Sequence, residues 1–353
     1  MLNDIIKEDI QYIIRNNLPW GKLENKTVLI TGANGMIAQY MVRVLIQLNL
    51  EFNINLKVIA LVRNKEKSLK VFKEYMYRRN FQLLVQDVCD PINLNCNIDY
   101  IIHAASQASP KYYSVDPIGT LKPNIIGTFN LLDLARKNKV KSFLYFSSSE
   151  VYGEIEEKFI PTKESNYGYI DPTQVRSCYA ESKRMSENMC ICWFHQYGVP
   201  VKIVRPFHTY GPGMVLNDGR VFADFISDVV NNRNIILKSD GSATRNFCYL
   251  ADAVSAFFTV LLKGNAGEVY NVSNDSCEIS IKQLAELLSS LFSERNIKVE
   301  YKIREKHDKY LISKINRNCA DISKIKALGW TPLYNIQQGF ERTIRSVEFN
   351  DGK

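Results

Sequence analysis

A chain of 353 residues that is 46% apolar, with no long polar low-complexity tract, has enough material for a well-buried core. Extensive disorder is therefore excluded, and one large domain with a smaller companion is expected. The formal charge of +8 arises from 45 basic residues scattered among 37 acidic ones, with only short basic clusters at 63–73 and 137–141, so no nucleic-acid partner is expected. No run approaches the ~18 consecutive apolar residues of a membrane span, and the opening MLNDIIKEDIQYII carries acids where a secretory signal has a basic start. A soluble cytoplasmic protein with no membrane partner is expected.

Residues 1–25 predict an N-terminal helical extension that ends near Pro19-Trp20-Gly21 and is read as a packed appendage, with a subunit contact or a lid as the alternatives. From Lys26 the pattern changes to strand, glycine turn, helix and strand: TVLI, TGANGMIA, an apolar helix through Leu50, then LKVIALV. Further short apolar runs occur at FQLLVQDV, YIIHAA, FLYFSS and VKIVRP. Buried runs alternating with helical stretches predict an α/β fold, a Rossmann-type doubly wound parallel sheet over residues 26–205. After Pro206 come loops containing Gly211, Pro212, Gly213 and Gly219, then helical segments near 220–232, 251–263 and 279–293, and a closing LGWTPLYNIQQGFERTI. These predict a smaller C-terminal α/β substrate domain over 206–350, with part of 245–275 returning to the Rossmann core. Eight cysteines without CxxC spacing, the nearest pair being Cys190 and Cys192, read as reduced thiols, and no metal site is expected.

Thr31-Gly32-Ala33-Asn34-Gly35-Met36-Ile37-Ala38 follows a strand and opens a helix, the context in which a glycine fingerprint is informative. Gly32 permits the tight turn, Gly35 lets backbone approach a pyrophosphate, and Ala38 allows close helix–strand packing. Gly32, Asn34, Gly35, Met36 and Ile37 are thus candidate cofactor contacts, with the helix N-terminus supplying N–H donors to phosphate. The next strand ends without the acidic residue that grips the adenosine ribose of NAD and offers Arg63 and Lys65 instead. NAD and NADP both stay open as cofactor, because basic groups there suit a 2′-phosphate. Asp87 and Val88, after the third strand, fit an adenine-edge contact or an ordinary turn.

The decisive element is Tyr179-Ala180-Glu181-Ser182-Lys183, preceded about thirty residues earlier by Ser147-Ser148-Ser149 at a strand end. Helical spacing of four puts Tyr179 and Lys183 on one face. A phenol is a poor base at neutral pH, and an adjacent ammonium is expected to lower its pKa toward a useful range. Ser148 can hydrogen-bond the same substrate oxygen.

Together TGxxGxxA, HAA at 103–105, SSSEVYG at 147–153, YxxxK, RPFHTYGP at 205–212 and LGWTP resemble the extended short-chain dehydrogenase/reductases of the NAD-dependent epimerase/dehydratase type. The resemblance covers residues 26 to about 346. Within that family ASPKYYSVDPIGTLKPNIIGT, SSSEVYGE, SCYAESKRMSE, NDGRV at 217–221 and ATRNFCYLADAV look most like UDP-glucuronate decarboxylases. The resemblance implies transient oxidation at a sugar C4 and a nucleotide-sugar substrate, UDP-sugars being favoured. It implies catalytic roles for Tyr179, Lys183, Ser148, Ser149, Glu150 and Arg245. It adds Ala104 and Ala105 to the cofactor contacts named above, together with Tyr179 and Lys183. The substrate contacts it implies are Ser109, Tyr112, Tyr113, His208, Arg220, Arg245 and Arg317.

The residues after Ser148 discriminate among reactions. Dehydratases of the family place aspartate then glutamate there, whereas this chain has Ser149 then Glu150, which argues against dehydration; simple 4-epimerases generally lack the glutamate. Serine plus glutamate resembles the decarboxylases, with a 4-epimerase or another NDP-hexose enzyme as the second reading and a non-catalytic dinucleotide sensor as a remote third. Glu150 is either chemical or a local N–H cap, and Arg245 assists the carboxylate, anchors the diphosphate, or does both. Two positions depart from the pattern: His208 stands where the family has asparagine, and Gly213 where the decarboxylases have arginine. His208 is read as filling the asparagine's place without proton transfer. The resemblance also implies a homodimer formed through a four-helix contact by the helix starting near Asn124 and the one carrying Tyr179.

Overall fold

The computed structural model describes residues 3–302 and 315–350; residues 303–314, within the expected C-terminal domain, lie outside the described residues. Six strands run in the first part of the chain: β1 (Thr27–Thr31), β2 (Lys57–Val62), β3 (Phe81–Val85), β4 (Tyr100–His103), β5 (Ser142–Phe146) and β6 (Val201–Pro206). The remainder holds β7 (His208–Tyr210), β8 (Ile235–Leu237), β9 (Thr244–Tyr249), β10 (Glu268–Val272), β11 (Glu278–Ser280), β12 (Val299–Tyr301) and β13 (Arg317–Asn318).

Strand side chains alternate between two faces, and the sequence makes both apolar. Val28, Ile30, Val58, Ala60, Leu144, Phe146 and Val204 enter one buried cluster, while Leu29, Ile59, Leu61, Phe143, Tyr145 and Ile203 enter the other. A sheet greasy on both sides must be covered on both sides, which selects parallel strands joined by helical crossovers. The result is a parallel seven-stranded sheet in the order β10-β6-β5-β4-β1-β2-β3. Strand order reverses between β1 and β4, so the crevice at their carboxyl ends is the expected ligand position.

β10 returns from the later part of the chain to pair with β6. The helix Leu250–Lys263 is buried along almost its whole length against this sheet, which explains its lack of a polar stripe. Over the crevice sits a second layer in which β9 pairs antiparallel with β11 and in parallel with β7 and β13.

The N-terminal helix Asp4–Arg15 buries Ile6, Ile10, Ile13 and Ile14 together with the acid Asp9. The Asp9 carboxylate accepts hydrogen bonds from Tyr40 at 2.8 Å and Tyr249 at 2.7 Å and pairs with Arg342 at 2.8 Å. Burial nonetheless outweighs these partners and raises its pKa. Among the described residues no helix is long and apolar enough to cross a membrane.

Candidate active site

A cleft of about 650 Å³ opens at the carboxyl ends of β1, β4, β5 and β6. Strand ends and the helix Cys178–Tyr197 make its floor; β7, β9 and the loop 217–220 make its roof.

The turn after β1 is built for close approach. Gly32 sits at φ +63°, and a Cβ there would lie 2.7 Å from the Cα of Ala105 and 2.9 Å from its N, so only glycine fits. The helix Met36–Phe52 then starts from Gly35 with no side-chain cap, leaving its first N–H groups to face the cleft. Gly32, Gly35, Met36 and Ile37 line the cleft, as does Ala104. Asn34 instead donates to Ser68 Oγ at 2.9 Å, and Ala105 N donates to Thr31 Oγ1 at 3.2 Å, so both support the turn from outside the lining.

Arg63 lines the cleft and pairs with Asp87 at 3.7 Å. Burial pushes the Asp87 carboxyl up, but hydrogen bonds from Cys89 and the Arg63 charge outweigh it and hold the group below the usual range. Val88 is buried, and its methyl would lie 2.7 Å from a Cβ at Gly127, so it packs the next helix against the sheet rather than lining the cleft.

Tyr179 and Lys183 share the sheet-facing side of their helix, and both are buried. Lys183 Nζ donates to Phe146 O at 2.6 Å and lies 5.7 Å from the Tyr179 ring centroid. The expected lowering of the phenol does not emerge. Burial pushes Tyr179 up to about 12, against opposing effects of a Ser148 hydrogen bond and the Arg220 charge. Burial likewise pushes Lys183 down to about 7. The physical reason is that both groups share one dry layer, where desolvation acts on each and Lys183 spends a hydrogen bond on a carbonyl.

Tyr113 stacks on Tyr179, with ring centroids 5.1 Å apart and planes 13° from parallel, and its hydroxyl donates to Ala108 O at 3.1 Å. Tyr112 lines the cleft but is 38% exposed. Ser148 Oγ accepts from Glu150 N at 3.2 Å. The Glu150 side chain meets Arg176, with Nη1 3.0 Å from one oxygen and Nη2 3.5 Å from the other. Its carboxylate thus has a cation for a partner rather than the N–H groups of a local cap. Ser149 is buried and accepts from Asn318 Nδ2 at 3.4 Å.

On the roof, Ser109 Oγ donates to Asp218 O, and Arg220 lies 3.5 Å from the Asp218 carboxylate. Arg245 donates to the carbonyls of Thr244, Asn316 and Ile315 at 2.7, 3.0 and 2.8 Å. His208 lines the cleft, and burial, reinforced by the Arg245 and Arg220 charges, pushes it down to about 3, which keeps it neutral. Arg317 does not join this group: it forms a two-pronged pair with Glu278 at 2.7 and 3.1 Å and lies outside the cleft lining. Its neighbour Asn318 faces the cleft in its place, because side chains on a strand alternate.

Sequence reasoning missed Arg176, Lys67, Lys111, Ser106 and Asn318 and gave Ser147 no role of its own, although all six line the cleft. Arg176 stands three residues ahead of Tyr179, on the turn Val175–Ser177 that starts the helix, and that position was its available signal. It also gave the HAA motif no physical role: His103 shares hydrogen bonds with Thr31 at 2.9 Å and Thr128 at 3.1 Å, tying β1 and β4 to the helix Thr128–Asn138.

The family model described as the NAD dependent epimerase/dehydratase family matches residues 28–273. The chain belongs to this family. UDP-glucuronic acid decarboxylase 6 of Arabidopsis thaliana is 34% identical over 316 residues, covering 89% of this chain and 87% of the relative. UDP-glucuronic acid decarboxylase 1 of Danio rerio is 33% identical over 323 residues, covering 91% and 72%. Among solved structures, UDP-glucose 4-epimerase from Thermotoga maritima with UDP-glucose superposes with a TM-score of 0.78 at 25% identity, covering 92% of this chain and 99% of that one. UDP-glucuronic acid 4-epimerase from Bacillus cereus, in complex with UDP-glucuronic acid and NAD, has a TM-score of 0.74 at 22% identity, covering 92% and 99%, a likeness of fold.

As a member of this family the chain is an NAD-dependent enzyme of the extended short-chain dehydrogenase/reductase type. Its residues fit the cofactor: the Gly32 cradle admits a group that any Cβ would exclude. The buried hydroxyls of Ser106 and Ser147 and Nδ1 of His208 line the cleft with no hydrogen-bond partner among the described residues. Buried polar atoms without partners mark a surface completed by ligand.

Proposed function

We propose that this enzyme decarboxylates UDP-glucuronate, giving a UDP-pentose and carbon dioxide, with NAD regenerated in every cycle. The observation that carries the reading is the Glu150 carboxylate in the same cleft as Tyr179 and Ser148, an acid–base group beyond those a bare C4 oxidation needs. The likeness to UDP-glucuronic acid decarboxylases over about nine-tenths of the chain supports it.

In this reading Tyr179 takes the proton of the sugar's C4 hydroxyl, Ser148 holds that oxygen, and Lys183 orients the pair from beneath. NAD, when bound, would supply the hydride chemistry at C4. The C4 ketone makes the sugar a β-keto acid. The C5–C6 bond breaks, carbon dioxide leaves, and the electron pair passes to the C4 oxygen as an enolate. A proton then reaches C5, for which Glu150 is the available acid. Tyr179 finally gives its proton back to the C4 oxygen. Gly32, Gly35, Met36, Ile37, Ala104 and Arg63 would hold the cofactor, and Arg220 and Arg245 the substrate's diphosphate.

Incubation with UDP-glucuronate tests this: carbon dioxide and a UDP-pentose are expected, whereas an isomer of unchanged mass makes the protein a 4-epimerase. We also propose a homodimer through the helices Thr128–Asn138 and Cys178–Tyr197, whose outer faces expose Phe129, Met185, Ile191 and Phe194. Light scattering at the mass of one chain would overturn it.

A further inference from the structure

A carboxylated sugar poses a charge problem at the floor of this cleft. C6 is two bonds from C4, so with its C4 oxygen at Tyr179 the substrate brings a carboxylate within several ångströms of that phenol. Glu150 is already there as an anion, and two carboxylates at such range repel unless a cation stands between them. The cation on Glu150 is Arg176, at 3.0 and 3.5 Å, with both side chains about a quarter exposed, at 25% and 27%. Arg176 lines the cleft, and its guanidinium carbon lies 5.9 Å from the centroid of Tyr113, the ring stacked on Tyr179. Other cations of the cleft have different anchors: Lys183 on the Phe146 carbonyl, Arg220 beside Asp218, Lys111 on the Asn217 carbonyl, Arg245 on three carbonyls of the roof and Arg63 on Asp87.

We propose that Arg176 is the receptor for the sugar's carboxylate and that it exchanges Glu150 for the substrate when an acidic sugar binds. A planar guanidinium presents the same two-pronged face to either carboxylate, so one fork serves both in turn. Arg245 is thereby left to the diphosphate. The exchange balances the proposed reaction. As Arg176 turns to the substrate, Glu150 takes up one proton from the bulk solvent, with Tyr113 and Tyr179 within reach of its charge and Ser148 Oγ on its own backbone N–H. When the C5–C6 bond breaks and carbon dioxide leaves, the O–H bond of Glu150 breaks, the C5–H bond forms, and the carboxylate left behind recovers Arg176. The proton step rests on the decarboxylase reading; the recognition of an acidic sugar does not.

Calorimetric binding of UDP-glucuronate and UDP-glucose to the NAD-loaded Tyr179→Phe protein, whose turnover is slowed, separates the two. Adding Arg176→Ala is expected to weaken UDP-glucuronate about 10–100-fold, the worth of one charge-assisted pair, and to leave UDP-glucose unchanged. Adding Glu150→Gln, which removes the competitor for the fork, is expected to tighten UDP-glucuronate and to abolish the proton uptake that accompanies its binding. Arg176→Lys, keeping charge without the fork, should fall between, and guards against misfolding of the alanine variant. Equal weakening of both nucleotide sugars, or weaker UDP-glucuronate binding in Glu150→Gln, would overturn the proposal. If the discrimination holds while the unmodified enzyme releases no carbon dioxide, the decarboxylase reading fails and the receptor stands.

Discussion

Tyr179 and Lys183, on the floor of the cleft, ride on a 20-residue helix pressed against the seven-stranded sheet, whereas Arg245 and His208, on the roof, stand on short strands of a smaller sheet. The floor fixes its groups by burial, which pushes the Tyr179 phenol up to about 12 and the Lys183 amine down to about 7. The roof fixes Arg245 by hydrogen bonds to backbone carbonyls, two of them from residues 315 and 316 next to β13. The difference teaches where each kind of specificity resides: proton chemistry needs rigid, desolvated groups, and substrate identity is set by charges presented from elements that can vary without disturbing the sheet.

The strongest way to break this division is at the phenol. Tyr179→Phe is expected to cut kcat by about 10²–10⁴-fold, the usual share of general acid–base catalysis, while binding of the nucleotide sugar persists by calorimetry. Comparable loss of both would move Tyr179 into the binding machinery. Arg245→Ala attacks the roof instead. UDP should bind about 10–100-fold more weakly, with rates at saturation much less affected; a fall in kcat at constant KM would place Arg245 in the chemistry.

A smaller effect tests the desolvated floor. Lys183 titrates near 7 in the folded chain against 10.5 ordinarily, so between those values the unfolded chain binds more protons. This group's contribution to stability therefore rises with pH through that window and is at its least below it. In Lys183→Met that rise should vanish, reducing the change in Tm across the window by roughly a few degrees; an unchanged pH dependence would show that the amine is not desolvated. The least effect is expected at His208, held neutral by a pKa pushed down to about 3. His208→Asn should leave the shape of the pH–rate profile between pH 5 and 8 as it was, where an imidazole titrating normally would shape it.

Sequence legibility divides along the same line. The apolar runs TVLI, VIALV, YIIH, FLYF and VKIV became β1, β2, β4, β5 and β6 because residues alternating onto two greasy faces leave one architecture open. The glycine turn and the Tyr179–Lys183 pair were legible because their chemistry is local: a left-handed turn and one helical repeat. Arg317 misled because a cation on β13 carries no mark of which side it faces, and the structure gives it Glu278 while turning Asn318 to the cleft. Arg176 was hard to read because its partner is 26 residues away, and only its place three residues ahead of Tyr179 marked it.

By itself, then, the sequence determined the two-faced parallel sheet, the phosphate turn and the tyrosine–lysine face, all of which rest on backbone geometry within a few consecutive residues. Only the tertiary structure decided that burial opposes the expected tuning of Tyr179 and that Glu150 is held by Arg176. Desolvation and ion pairing depend on which groups share a layer, and neighbours in space are set by packing rather than by order along the chain.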